Sequence, residues 1–385
     1  MVLVRNLGLL LQFQKYVTLI QYSEYTKVKT YQIVLRIIPS SFISFYAIYS
    51  FFEYINLAVA SILKEASITA LFAMDMDLII NRLNFLLTFC LGFTTSRSHI
   101  RLISSLSKLE KKLTDPSKRA EPSKIFLRSN IDIFINIFFH ILIHLSFILL
   151  NFENYDHKII LNGHLIQILI MMFNDFLILY GIHFLKEFSN LANLTSLEKN
   201  RNILNYFKLL ECFLKHISSF NSALAGLLAI IYFQNICSCA ISVYIIFWIK
   251  FEGDLFEKKF FFFAFIVWAF SAFKNFYYVT YLSTVGNRAK ENINILMDSV
   301  TKLEEKLPGR FIDKIVIFNK NSLQKWRFHI ETRVLVGKSS EINNSGIFSI
   351  VSFVSTCLLI LLQFKQLEDS SMDSILQPEN MTQIQ

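Results

Sequence analysis

Four polar side chains recur at every fourth position of one apolar segment: Asp132, Asn136, His140 and His144. Four residues turn an α-helix through about 400°, so this stripe drifts by only about 40° per step. It winds slowly along one face. Polar groups inside a membrane are costly and turn toward a bundle interior or a wet cavity. Two roles fit: hydrogen bonding between helices, or the polar wall of a ligand pocket at His140 and His144. A metal pair at these two histidines lacks a third ligand and a neighbouring Glu, so no metal is expected. Two further apolar runs carry opposite charges at similar depth, Asp175 and Lys274. They are expected to form an intramembrane ion pair. His164 and Gln167 precede Asp175 in its run, and Tyr49, Tyr244 and Trp268 lie at outer or middle levels of others. A pocket lined by rings with a few polar groups suits an amphipathic small molecule. These five residues join His140 and His144 as candidate ligand contacts, although Tyr and Trp also form ordinary interface belts.

No enzyme chemistry is visible. The chain has no nucleophile–base arrangement, phosphate-binding glycine loop or zinc motif, so neither catalysis nor a cofactor is expected. Its five cysteines are odd in number and fall mostly within apolar runs, as packing residues do.

The elements that position these residues follow from composition. Of 385 residues, 54% are apolar and 17% charged, with 40 Phe against 10 Gly and 5 Pro. Soluble proteins average about 25% charged residues. Mean hydropathy is +0.45. A soluble enzyme, a disordered chain and a fibre are all excluded as defaults, and a polytopic helical membrane protein is expected. A spanning helix needs about 20 mostly apolar residues. Candidate spans are Val34–Phe52, Ile68–Phe93, Ile131–Phe152, Ile159–Phe184, Ala223–Trp248, Phe260–Leu282 and Gly346–Phe364. The second is the weakest, because Asp75, Asp77 and Arg82 fall within it.

Basic residues orient these spans. Of 38 Lys and Arg, 29 fall in residues 1–33, 94–130, 185–222 and 283–345, six fall in the alternate segments, and three lie within spans. Positive residues favour the cytoplasm, so the N-terminus is expected inside and the C-terminus outside. The net charge of +9 thus records cytoplasmic loops rather than nucleic-acid binding. Seven spans otherwise suggest a G-protein-coupled receptor, which places its N-terminus outside. The sequon at Asn380 falls in the expected outside tail and is a candidate glycosylation site. Residues 185–222 and 289–307 show apolar spacings near three and four. They are expected to extend the fourth to seventh spans into the cytoplasm as packed helices.

The last span ends Thr356-Cys357-Leu358-Leu359-Ile360-Leu361-Leu362-Gln363-Phe364. This resembles the C-terminal signature of insect gustatory receptors: Thr-Tyr, five hydrophobic residues, then Gln-Phe. Cys357 replaces the Tyr. Chain length and the long cytoplasmic segment before the last span are similar as well. The resemblance implies a multi-pass plasma-membrane channel of sensory neurons, non-selective for cations and opened by a small-molecule tastant. It implies a homo- or hetero-tetramer of gustatory receptor subunits in membrane lipid, with the seventh span lining one pore. Pore and gate then fall to Gln363, Phe364, Ile360 and Thr356. Some sugar-receptor relatives carry Glu just after the Tyr; Leu358 stands here, which tilts the expectation toward a bitter-like or orphan receptor.

The expectation is therefore an all-α membrane protein of seven helices forming one domain. Residues 1–33 are its cytoplasmic N-terminus and 34–282 its ligand-pocket bundle. Cytoplasmic anchor helices follow at 283–345, the pore span at 346–364 and an extracellular tail at 365–385. An odorant-receptor-like subunit needing a co-receptor, and a G-protein-coupled receptor, are the alternatives.

Overall fold

Long apolar runs with few internal Gly or Pro have one economical structure in lipid, the α-helix, which satisfies its own backbone. The computed structural model describes residues 68–113, 131–142, 157–197, 203–251, 258–305, 335–336, 340–341 and 344–381, with isolated helical positions between 38 and 49. Six helices cover these segments: α1 (Ile68–Leu113), α2 (Ile131–Leu142), α3 (His157–Leu197), α4 (Ile203–Phe251), α5 (Lys258–Glu305) and α6 (Asn344–Met381). Beside the helices, two-residue strands β1 (Leu335–Val336) and β2 (Ser340–Glu341) pair antiparallel, with Leu335 opposite Glu341. β1 lies against α4.

Side-chain contacts give the relative directions of the helices. Asp132 meets His183 and His140 meets Asp175, so α2 and α3 are antiparallel. Ser238 meets Asp77 and Gln234 meets Asn81, so α1 and α4 are antiparallel. Tyr232 with Ser283, and Ser242 with Ser271, set α4 against α5 in the same way. Asp175 with Lys274, and Ser189 with Asn292, make α3 and α5 parallel. This is the alternation that successive crossings of a membrane require.

Three helices are long and apolar enough to cross a membrane among the described residues: Leu165–Asn193, Leu209–Trp248 and Val351–Ser371. Asp75–Gly92 with Arg97–Ser105 makes a fourth if this pair, bent by 71°, is one span. The bend has a local cause. Thr94 and Thr95 both donate their hydroxyls to the Leu91 carbonyl, at 2.9 and 2.8 Å, beside Gly92. Hydroxyls bonding back into the preceding turn bend helices.

Helices α3, α4 and α5 have 41, 49 and 48 residues. Twenty suffice for a bilayer, so each runs well beyond its span. The overhangs are the C-terminal ends of α3 and α5 and the N-terminal end of α4, which these directions bring to one side. There a core of Ala192, Leu210, Phe213, Ala289, Ile293 and Leu296 continues the packing of the bundle. The seventh predicted span behaves differently. Helix α6 begins at Asn344 and instead prolongs past Phe364 to Met381, its extension stapled by a Lys365–Asp369 pair at 2.9 Å.

Helix α3 is deeply set, with every residue from Asn174 to Leu185 buried. It packs against α1, α4 and α5. At Gly181 the approach to α4 is closest: a Cβ there would lie 2.7 Å from Leu228 Cδ2. Gly181→Val is expected to cost about 1–3 kcal/mol by overpacking. Thermal denaturation of the detergent-solubilised protein checks this, and Leu228→Ala should recover part of the loss.

Candidate functional site

The polar stripe of α2 turns inward onto α3 and α5, where one carboxylate collects it. Asp175 Oδ2 accepts from Asn136 Nδ2 at 2.8 Å, from His140 Nε2 at 2.7 Å and from Lys274 Nζ. Asn136 Nδ2 also donates to the Tyr278 hydroxyl at 2.7 Å. The Lys274 ammonium stands 5.8 Å from the ring centroids of both Phe139 and Tyr278, within cation–π range. His140, Asp175 and Asn136 are all buried, and Lys274 is nearly so. With its Nε2 donating to Asp175, His140 presents Nδ1 as an acceptor, and that atom finds no protein partner among the described residues. This arrangement joins three helices through a charge pair that lipid would punish severely if either member were alone.

A second polar layer lies beside it, unforeseen in the sequence as a unit. Ser238 of α4 donates to Asp77 Oδ1, Gln234 to Asn81 Oδ1, and Asn174 of α3 to the Asn81 carbonyl at 3.4 Å. The signal was present: Asp77 and Asn81 are four apart on α1, as are Gln234 and Ser238 on α4. What read as weakness of the second span is its adhesive face. Toward the helix overhangs, His216 stacks between Phe184 and Phe188, with centroids at 6.0 and 5.5 Å. Its Nδ1 bonds the Ser105 hydroxyl at 2.8 Å, and His99 stacks on Tyr180. These histidines are buried packing groups that fasten α1 to α3 and α4.

The other expected site residues are scattered. Gln167 is 4% exposed, and neither of its amide atoms has a protein partner among the described residues. Tyr244 is buried, Trp268 half-buried, and Tyr49 is 54% exposed and stacks on Tyr46. His144 lies outside the described residues. His164 and Asn380 fall within α3 and α6, but their side chains are outside the described set. On α6, Thr356, Ile360, Gln363 and Phe364 are all exposed, and Thr356 donates its hydroxyl to the Ser352 carbonyl at 2.9 Å. Among the described residues, no cluster of His, Cys, Asp and Glu has the geometry of a metal site.

In the segment after the expected pore span, Glu368 receives the N-terminus of α1, through the amides of Ile68 and Thr69 and the Thr69 hydroxyl.

This helical order and packing have solved counterparts. The insect olfactory receptor OR5 from Machilis hrabei superposes with a TM-score of 0.61 at 10% sequence identity, over 94% of this chain and 97% of that one. The same receptor in complex with eugenol gives a TM-score of 0.58 at 11% identity, with the same coverage of both chains. The chain has the insect chemoreceptor fold. No protein-family model matches it, and no curated protein matches it in sequence. At this identity the likeness is one of fold.

Proposed function

We propose that the chain is a subunit of a ligand-gated, non-selective cation channel of the plasma membrane, opened by an external small molecule, and that its role is gustatory. One observation carries this reading. Val351–Ser371 is apolar enough to span a membrane, yet none of that stretch is buried within the chain, whereas the two other unbroken spans are 67% buried. Its exposed residues include Ser352, Ser355, Thr356 and Gln363. Lipid alone is a poor environment for such a row. Other copies around a wet lumen satisfy it, with α6 lining one pore in a homo- or hetero-tetramer.

The resemblance of Thr356–Phe364 to the gustatory signature and the chemoreceptor fold support the same assembly. Residues 34–282 then enclose the ligand pocket, residues 283–345 anchor the pore span at 346–364, and the C-terminus lies outside, where Asn380 is available for glycosylation. Buried, unpartnered Gln167 supports a pocket among the outer halves of the helices, with His140, His144, Tyr49, His164, Tyr244 and Trp268 as its other candidate contacts. Leu358, at the place where sugar-receptor relatives carry Glu, favours a bitter-like ligand. Asp175 and Lys274 hold the bundle around that pocket.

Epitope tags at the two termini test the topology. The N-terminal tag is expected to stain only after permeabilisation, the C-terminal tag in intact cells. The reverse pattern overturns the channel reading. Whole-cell recording with a tastant panel should then give currents carried by both sodium and potassium. A second reading, a subunit needing a co-receptor, is favoured by the fact that the solved neighbour named above is an olfactory receptor. It predicts current only on co-expression.

A further inference from the structure

The N-terminus of α1 and the C-terminal half of α6 meet at one carboxylate. Glu368 Oε1 accepts the Ile68 amide at 2.7 Å, while Oε2 accepts the Thr69 amide at 3.2 Å and the Thr69 hydroxyl at 2.8 Å. The first amides of a helix have no acceptor within it and lie at the positive end of its dipole. A residue just before the helix ordinarily caps them. Here the cap arrives from 300 positions away in the chain. Thr69 is 8% exposed, so the contact is partly shielded from water.

The cap sits beside the expected gate. Phe364 and Gln363 lie four and five residues before Glu368 on the same helix, about 6–8 Å along its axis. At its other side, α1 carries Asp77 and Asn81 into the polar layer shared with α3 and α4. One rigid helix therefore links the interior of the bundle to the gate-bearing end of α6. Two carboxylate oxygens holding two amides and a hydroxyl form a grip that fixes position as well as charge.

We propose that Glu368 is the positioning residue that couples the helical bundle to the gate. It holds the outer end of α6 against its own bundle, away from the axis between copies, and so favours the open pore. A shift of α1 on ligand binding moves the gate through this contact. The inference rests on the channel reading above.

The test records unliganded single-channel sodium currents from the full-length protein in excised patches. Glu368→Ala should lower open probability on the order of tenfold with unitary conductance unchanged, the equivalent of about 1.4 kcal/mol. Thr69→Val, which keeps both amide bonds and cannot touch the pore, should lower it about threefold, roughly half of the tenfold effect in free-energy terms. The double variant should be no worse than Glu368→Ala alone, and Glu368→Gln, which retains an acceptor, should fall between. An open probability unchanged by Glu368→Ala and Thr69→Val overturns the coupling. So does a drop in conductance alone, which marks Glu368 as a mouth charge, or a drop in surface expression alone, which marks a structural cap. Hydrogen exchange of peptides covering residues 68–72 should accelerate in Glu368→Ala; no change overturns the contact itself. Absence of any current from the wild-type protein, alone or with a co-receptor, overturns the channel reading instead.

Discussion

Lys274→Met is expected to be among the most damaging single changes in the bundle, costing about 3–5 kcal/mol of stability. Methionine keeps the length of the lysine side chain but removes its charge. Asp175 would then remain ionised or bear a proton at a site where Asn136 and His140 both donate to Oδ2. Neither state is comfortable. Asp175→Asn should cost less, because the amide oxygen can still accept from Asn136 and His140, although Lys274 loses its counter-charge. The double variant Asp175→Asn with Lys274→Met should recover most of the loss, giving a coupling energy of about 2 kcal/mol or more in a double-mutant cycle. The measurement is the thermal midpoint of the solubilised protein by size-exclusion fluorescence, with surface expression as a second readout. A double variant as unstable as Lys274→Met alone would show that the two charges are not energetic partners. Full charge reversal is the poorer experiment. Lysine at 175 would face Asn136 Nδ2 and His140 Nε2, two donors arranged around an acceptor, so Asp175→Lys with Lys274→Asp should recover only in part.

That distinction shows where the sequence was legible. The pairing of Asp175 with Lys274 followed from depth, because two opposite charges in parallel spans have few other places to go. The stripe from Asp132 to His140 followed from a spacing of four, which keeps side chains on one helical face. Periodicity left open what the stripe faced, and Asp132, Asn136 and His140 meet side chains of α3 and α5. The second polar layer was harder to read. Asp77 and Asn81 acquire partners only when α4 runs antiparallel to α1, which places Ser238 and Gln234 opposite them. Glu368 was illegible for a stronger reason. Two of its three partners are backbone amides, which every sequence contains, and a lone threonine hydroxyl announces no contact. The departure of α6 from the shared overhang has a similar origin. The segment after Phe364 is polar but free of Gly and Pro until Pro378. The helix continues where apolar content alone placed an end.

At the pore, Phe364→Ser is expected to raise unliganded current on the order of thirtyfold. A closed pore whose narrowest ring is apolar stays shut because water is expelled from it. On α6 the Phe364 side chain is 55% exposed within one chain, so a large part of the ring is available to neighbours or to the lumen. If each copy loses about 0.5 kcal/mol of closed-state stabilisation, four copies together lose about 2 kcal/mol, which is roughly a thirtyfold shift toward open. Gln363 is expected to act on the ions rather than on the equilibrium. Its amide oxygens replace part of a cation's water shell, so Gln363→Ala should change the sodium-to-potassium permeability ratio and unitary conductance with a smaller effect on open probability. Gln363→Glu adds one charge per copy and should favour divalent cations. Reversal potentials in bi-ionic solutions separate these effects. Unaltered permeability in both Gln363 variants, together with unchanged basal current in Phe364→Ser, would remove this turn of α6 from the pore and leave its exposed face to be explained by lipid.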